Sequence, residues 1–339
     1  MENAVDKNLP PTVGRGIFYI FVAAVAWGTG GAAAAVLYEI SGMGPVAVSF
    51  WRFVGGVLLL TAGHLVFRRH SMALAPRPAG TQAVARSSHD RWRQVLTTGV
   101  GLAIYQTAYF AAVGYAGLAV ATMVTLGSGP ILIALGSRAM GERLGRPGAV
   151  TVAMALIGLV LLLSGGSTNT ATAPMRGIAC ALLSAVGYAG VTLVNRKIGG
   201  DGTSGSPQAT ALGGFTVGMV CLLPLALIEG LLPTSGDFRQ VLGLLAYLGA
   251  VPTAVAYSLF FVGLASVRAT TASVIALIEP VTAASIAVLL LNERLTVTAT
   301  IGSVMLLAAV VALIFSERRA GAARHDAAAS QHPTPTPAN

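Results

Sequence analysis

Charged residues are scarce in this chain of 339 residues, because Asp, Glu, Lys and Arg together make up only 10% of it, whereas a soluble domain has about 25%. Hydrophobic residues make up 55%, and the mean hydropathy is +0.76. This combination excludes an ordinary soluble enzyme. Cysteine is scarce as well: Cys180 and Cys221 lie in apolar stretches without CxxC spacing or a histidine-rich setting. Neither a disulfide framework nor a metal site is therefore indicated.

The chain also lacks the common motifs of nucleotide-binding and hydrolytic proteins. It contains no Walker A, HExxH or GxSxG sequence, which argues against an ATP-driven pump and the common hydrolases. Gly200, Gly202 and Gly205 match GxGxxG, but they lie in a loop between two apolar segments with no preceding strand, so a dinucleotide site is not expected. The sequence predicts a protein that is not an enzyme and needs no cofactor.

The sequence consists mainly of long apolar runs. They are unbroken and do not alternate in short segments, which favours membrane-spanning helices over a β-barrel. We predict an all-α, multi-pass integral membrane protein with ten spans, at about 17–38, 45–67, 95–114, 117–137, 148–164, 175–194, 208–229, 241–263, 269–291 and 297–315.

The positive charges indicate how these spans are oriented. The formal net charge is +9. With both termini in the cytoplasm, 17 of the 21 Lys and Arg residues lie on that side, three lie outside, and Arg52 lies within the second span. The positive-inside rule therefore predicts cytoplasmic termini in the cytoplasmic membrane, and the charge is not a nucleic-acid footprint. The cytoplasmic arginines either act only in topology or also contact anionic lipid headgroups.

The chain resembles itself. Residues 116–163 and 265–314 each contain a small-residue helix with a proline, then a Glu-Arg-Leu turn, then another apolar helix. Pro130 matches Pro280 at an offset of 150, and Trp27 matches Tyr188 at 161. Because each unit has five spans, the second enters the membrane from the opposite side. The predicted organisation is a cytoplasmic tail at 1–16, inverted repeats at 17–164 and 175–315, and a disordered cytoplasmic tail at 316–339.

These features together resemble the drug/metabolite transporter superfamily, and specifically its ten-helix EamA-type members. The resemblance covers about 16–315, and its residues are Trp27-Gly28, Arg52, Pro130 with Gly141-Glu142-Arg143-Leu144, and Glu279-Pro280 with Asn292-Glu293-Arg294-Leu295. It implies a central cavity lined by spans one to four and six to nine, peripheral spans five and ten, and export of small metabolites, often amino acids. The first copy has Gly129 where the second has Glu279, so any role of Glu279 is not duplicated.

Glu279 is the one acidic residue near the centre of a predicted span. A charge at that depth costs ~2.5–3.5 kcal/mol on insertion scales, so such residues usually face the bundle interior or a water-filled cavity. We hypothesise that Glu279 couples proton entry to substrate exit. The alternative is a protonated side chain that is hydrogen-bonded to backbone groups freed by Pro280.

Other residues are candidates for binding or gating. Arg52 either holds an anionic group of the substrate or anchors its helix. Pro130 and Pro280 predict kinks at equivalent depths, which serve either gating or packing. Glu142 and Glu293 are expected to cap helix ends or form local ion pairs. Aromatic and polar candidates for substrate contact, each with core packing or an interfacial belt as the alternative, are Trp27, Tyr105, Gln106, Tyr109, Tyr188 and Tyr257.

The sequence as a whole predicts a secondary active exporter of a small metabolite, an amino acid or a related amphiphilic compound, that works by proton antiport and alternating access. Its expected partners are the substrate, protons and membrane lipids, and the sequence leaves open whether the chain forms a homodimer. The alternatives are carriage of another substrate class, such as a sugar or a drug-like compound, or a non-transporting membrane sensor or assembly protein on the same frame.

Overall fold

The structure is a computed structural model that describes residues 13–72, 88–116, 118–142, 145–164, 174–200, 207–291 and 296–330. All regular elements of these residues are helical. The helices are α1 Val13–Ser41, α2 Pro45–Met72, α3 Ser88–Ala116, α4 Leu118–Ala139, α5 Arg146–Leu163, α6 Pro174–Gly200, α7 Pro207–Glu229, α8 Phe238–Gly249, α9 Ala256–Leu264, α10 Ala269–Ala276, α11 Ile278–Leu291 and α12 Val297–Ser330, with a π-helical segment, Ala250–Val255, between α8 and α9.

Most of these helices are suited to a membrane. Within the described residues, eight helical segments are long and apolar enough to cross one. Large apolar side chains such as Ile228 and Leu289 are exposed on the outside of the bundle, as expected where lipid is the solvent. The remaining two predicted spans lie on α5, which is apolar but short, and on α3, which carries polar residues such as Gln94 and Gln106. That these two helices cross the membrane stays a prediction.

The helices pair in a way that reflects the internal repeat. The helix α6 of the second repeat packs on α3 and α4 of the first, and the helix α1 of the first repeat packs correspondingly on α9 and α11 of the second. The helices α2 and α7 pack on each other, as do α5 and α12. The last pair crosses very closely, because a Cβ atom on Gly302 would lie 2.5 Å from the carbonyl oxygen of Gly158. Small residues at such crossings allow two helix backbones to approach.

Two of the predicted spans contain helical irregularities. The ninth is broken at Leu277, between α10 and α11. Pro280 lacks the N–H that would bond to Ala276, so an interruption is expected here. The eighth contains the π-helical segment, with Pro252 inside it. By contrast, α4 runs through Pro130 without a break, so the two repeat-related prolines do not have equivalent effects. A helix can accommodate the one hydrogen bond that proline removes.

The C-terminal part differs from the expected disordered tail, since α12 continues as far as Ser330. The segment after Phe315 is rich in alanine, which has the highest helix propensity, and it extends a helix that is already formed. Residues 331–339 lie outside the described residues. The cysteines are free, and Cys221 is exposed on α7, where the outer surface of a membrane protein accommodates an apolar side chain.

Candidate functional site

Glu279 lies in the first turn of α11, directly after the break in the ninth predicted span. The helix α1 passes so close that a Cβ atom on Gly28 would be 2.6 Å from the Glu279 carbonyl oxygen. The Glu279 side chain is half-buried, and among the described residues its carboxylate forms no hydrogen bond. Its oxygens are not among the buried atoms that lack a hydrogen-bond partner, so part of the carboxylate surface is accessible.

Four tyrosines from three helices lie in the region of this carboxylate. Tyr105 and Tyr109 of α3, Tyr188 of α6 and Tyr257 of α9 each lie close enough to Glu279 to interact with it electrostatically. The rings of Tyr105 and Tyr188 have centroids 5.7 Å apart. The structure therefore brings Tyr105 into the same region as Glu279, which lies 174 positions further along the chain.

The tyrosine hydroxyls differ in their partners. The Tyr109 hydroxyl is 2.8 Å from the Thr122 hydroxyl of α4 and exchanges a hydrogen bond with it. The Tyr188 hydroxyl is buried near Thr192 without a hydrogen bond of acceptable geometry. In the described part of the chain the hydroxyl of Tyr257 has no hydrogen-bond partner either. Tyr109 thus contributes to the packing of α3 on α4, whereas Tyr188 and Tyr257 have hydroxyl groups left for a ligand or water.

Trp27 belongs to the same region through its ring contacts. Its centroid is 5.1 Å from the ring of Tyr257 and 5.1 Å from the ring of Phe260. Tyr257 in turn contacts Phe215 of α7 at 5.3 Å, with the rings nearly perpendicular. Trp27 is 8% exposed, and its indole Nε1 is buried with no hydrogen-bond partner among the described residues. Such an unpaired buried donor is unusual in a folded protein.

Arg52 of α2 lies across this region from Glu279 and interacts electrostatically with both Glu279 and Tyr257. Its Nε donates to the Thr253 hydroxyl at 3.4 Å. Thr253 lies in the π-helical segment, and its own hydroxyl donates to the Leu248 carbonyl at 2.7 Å. The π-helical segment therefore presents a polar group to the cation, in keeping with the frequent occurrence of such segments at functional sites.

Two other predicted site residues, Gln106 and Pro130, are buried in the helix packing. Gln106 donates to the Ser49 hydroxyl at 3.1 Å and so links α3 to α2. Pro130 is buried in α4 beside Gly129, where a Cβ atom would be 3.3 Å from the Tyr188 ring. The ring of Tyr188 thus packs against the position in the first copy that Glu279 occupies in the second.

Glu142 is predicted to cap a helix end or to form a local ion pair, and its neighbour Arg143 lies outside the described residues. The Glu142 carboxylate is 3.6 Å from Nε of Arg196 on α6, so it makes a contact between the two repeats that the sequence did not predict. The matching Glu293 lies outside the described residues, as do the other residues of both Glu-Arg-Leu turns.

Sequence reasoning missed three residues of the region. These are Thr253, the partner of Arg52; Tyr38, which lies near both Arg52 and Glu229; and Arg196. The proline inside an apolar span, Pro252, was the available signal for an irregular helix at Thr253. No such signal marked Arg196, because in the sequence it is one of many basic residues that are predicted to be cytoplasmic.

A helical membrane bundle built from two repeats, with a polar and aromatic site where the repeats meet, is the construction of a membrane transporter. The sequence profile of the EamA-like transporter family matches residues 14–164 and 175–315. The chain belongs to this family.

Relatives extend over nearly the full length of the chain. The uncharacterized transporter YwfM of Bacillus subtilis (strain 168) is 27% identical over 306 residues, 89% of this chain and 94% of the relative. An uncharacterized transporter of Archaeoglobus fulgidus is 32% identical over 286 residues, 83% of this chain and 95% of the relative. The uncharacterized inner membrane transporter YicL of Salmonella typhimurium is 24% identical over 309 residues, 90% of this chain and 97% of the relative.

Among solved structures, one crystal structure with 20% sequence identity is similar with a TM-score of 0.71, over 90% of this chain and 98% of the other. This likeness shows the fold. Together with the family match, it makes the protein a membrane transporter with several membrane-spanning helices.

Proposed function

We propose that this protein is a secondary active exporter in the cytoplasmic membrane that exchanges protons for a small amphiphilic metabolite, with both termini in the cytoplasm. The observation that carries the proposal is the Glu279 carboxylate. It lies at a helix break, is partly accessible, and is within electrostatic reach of tyrosines and Arg52. Intramembrane ionisable residues in such surroundings commonly serve ion or substrate pathways.

A proton bound at Glu279 would supply the driving force. One elementary charge that moves down ~100 mV provides ~2.3 kcal/mol, which corresponds to a concentration ratio of roughly fiftyfold. The charged and titratable groups within electrostatic reach of the carboxylate are Arg52 and the four tyrosines. Loss of the proton leaves a negative charge that attracts Arg52, and binding of a proton removes that attraction.

Alternating access follows from the paired repeats. Two similar halves of opposite orientation can adopt two near-equivalent arrangements, one open to each side of the membrane. The corresponding contacts, α6 with α3 and α4 and α1 with α9 and α11, are the ones we expect to exchange. Glu279 lies at the second of these contacts, beside Gly28.

The substrate class is an amino acid or a related compound with both polar and apolar parts. The rings of Trp27, Tyr257 and Tyr105 offer apolar faces with polar edges. Arg52 offers a cation for an anionic group. The same site also suits a sugar or a drug-like molecule with a ring, so the substrate has to be found by experiment.

The experiment compares metabolites inside and outside cells that overproduce the protein, its Glu279→Gln variant or its Glu39→Gln variant. Glu39 is an exposed carboxylate of α1 and serves as the matched control. We expect a compound that is depleted inside and enriched outside with the parent and the control, but not with Glu279→Gln. Reconstitution in liposomes then tests coupling. If the Glu279→Gln variant retained full export driven by a pH gradient, proton coupling at this residue would be refuted. If the level of no compound changed in the cells, the result would favour a non-transporting protein.

A further inference from the structure

The two halves of the ninth predicted span differ sharply in burial. All eight residues of α10, Ala269–Ala276, are buried. In α11, which begins at the level of Glu279, Thr282 and several of its neighbours are partly exposed. In the proposed orientation α10 is the cytoplasmic half of this span and α11 the outer half. The described residues of α10 are therefore shielded by neighbouring helices on the cytoplasmic side of Glu279.

A clasp of charged groups lies at the same cytoplasmic level. Arg196 of α6 donates from Nη1 to the carbonyl oxygens of Leu264 and Ala265, at 3.1 and 2.9 Å, at the end of α9. Its Nε is 3.6 Å from the Glu142 carboxylate in the turn that follows α4. The clasp is thus formed by Glu142, Arg196 and the C-terminal end of α9, and it joins the first repeat to the second.

The clasp is incompletely bonded. Oε2 of Glu142, Nε of Arg196 and the hydroxyl of nearby Ser137 are buried without a hydrogen-bond partner among the described residues. Buried polar atoms without partners raise the free energy of the conformation that contains them. A permanent structural bridge would be expected to satisfy these atoms, whereas a contact that must form and break in each cycle need not.

The cation of the clasp is not repeated in the sequence of the first copy. At the offset of 161 that relates Trp27 to Tyr188, the position in the first copy that corresponds to Arg196 is Ala35. The outer end of α1 therefore lacks a cation at the matching place.

We propose that Glu142 and Arg196 form the cytoplasmic gate of the transporter, and that the structure represents the state in which this gate is closed and Glu279 is reached from the outer side. This inference rests on the proposed function and orientation. In each cycle the pair separates, α4 moves away from the ends of α6 and α9, and α10 becomes accessible to the cytoplasm. Closure then returns the site to the outer side.

Thiol labelling tests the gate without a substrate or a proton gradient. In a Cys180→Ala, Cys221→Ala background, Ser273→Cys reports on the cytoplasmic half of the span and Thr282→Cys on the outer half. The probe is a membrane-impermeant, cationic methanethiosulfonate, applied to inside-out vesicles for the first site and to right-side-out vesicles for the second. Glu142→Gln and Arg196→Gln remove one charge of the pair each, and Lys197→Gln, an exposed neighbour of Arg196, is the control.

We expect cytoplasmic labelling of Ser273→Cys to be slow with the gate intact and about tenfold faster with Glu142→Gln, the order of effect of losing one charge-assisted contact. Labelling of Thr282→Cys should slow in the same variant, and Lys197→Gln should change neither rate. If Arg196→Gln fails to reach the membrane, Glu142→Gln decides, because its side chain has the same shape.

The proposal is overturned if Ser273→Cys is labelled rapidly with the gate intact, if Glu142→Gln leaves its rate unchanged, or if both sites are labelled faster, since local loosening affects both sides. The labelling measurements require neither export nor proton coupling. They can therefore be interpreted even if the proposed transport mechanism is wrong.

Discussion

Substitution of Gly28 by alanine is expected to disturb Glu279 through the helix packing alone. The new Cβ atom would lie 2.6 Å from the Glu279 carbonyl oxygen and 2.5 Å from Cβ of Thr282. Ordinary contact begins at about 3.4 Å, so α1 and α11 must separate by roughly 0.8 Å. Overpacking of this kind costs about 1–3 kcal/mol of stability. A displacement near 1 Å at a reacting group costs up to ~100-fold in rate.

The assay uses a second glycine of the same helix as its control. A Cβ atom on Gly31 would meet nothing within 4 Å, so Gly31→Ala should leave both stability and export unchanged. We expect Gly28→Ala to lower the melting temperature of the detergent-solubilised protein and to lower export by between tenfold and 100-fold at equal amounts in the membrane. Truncation of Thr282 to alanine should recover little, because the carbonyl oxygen remains. If Gly28→Ala had the same export rate and melting temperature as the parent protein, the reasoning would be refuted.

Three further predictions follow from the same contacts. Gly302→Ala forces α5 and α12 apart, because the backbone of the facing helix lies within 2.5 Å of the new atom. We expect the free energy of unfolding to fall by about 1–3 kcal/mol in a denaturation assay. Gly190→Ala is the control and should leave it unchanged, because Gly190 has open space around it. Pro280→Ala restores an N–H at the helix break and should impair export more than Pro130→Ala does, as measured at matched protein levels; equal effects would contradict a specific role for the break. Arg52→Gln removes the cation that faces the acidic site and should lower export several-fold at unchanged protein level, whereas reduced protein with unchanged affinity would assign this arginine to helix anchoring.

Part of the candidate site was predictable from the sequence, because charged residues are rare within membrane-spanning segments. Glu279 stands out since a charge near the centre of an apolar span is costly to insert, and Arg52 stands out for the same reason. The tyrosines carry no such signal individually. An aromatic ring in a span packs equally well in a core, at an interface or around a ligand, and only the folded arrangement of α3, α6 and α9 brings four of them within electrostatic reach of Glu279.

Other features could not be foreseen because they depend on contacts between distant segments. Glu142 and Arg196 are each unremarkable cytoplasmic residues in the sequence, and the fold places them 3.6 Å apart. The prolines make the same point. Pro130 and Pro280 occupy matching positions of the repeat, yet only the span that contains Pro280 is interrupted.

The sequence by itself determined the helical membrane class, the internal repeat and the membership in a transporter family. These properties depend on hydropathy and on residue order, both of which are local or periodic along the chain. The tertiary structure alone decided which side chains lie within electrostatic reach of Glu279, that Thr253 bonds to Arg52, and that Glu142 and Arg196 join the two repeats. These depend on the approach of helices far apart in sequence, which glycines such as Gly28 and Gly302 allow because they bring no side chain to the contact.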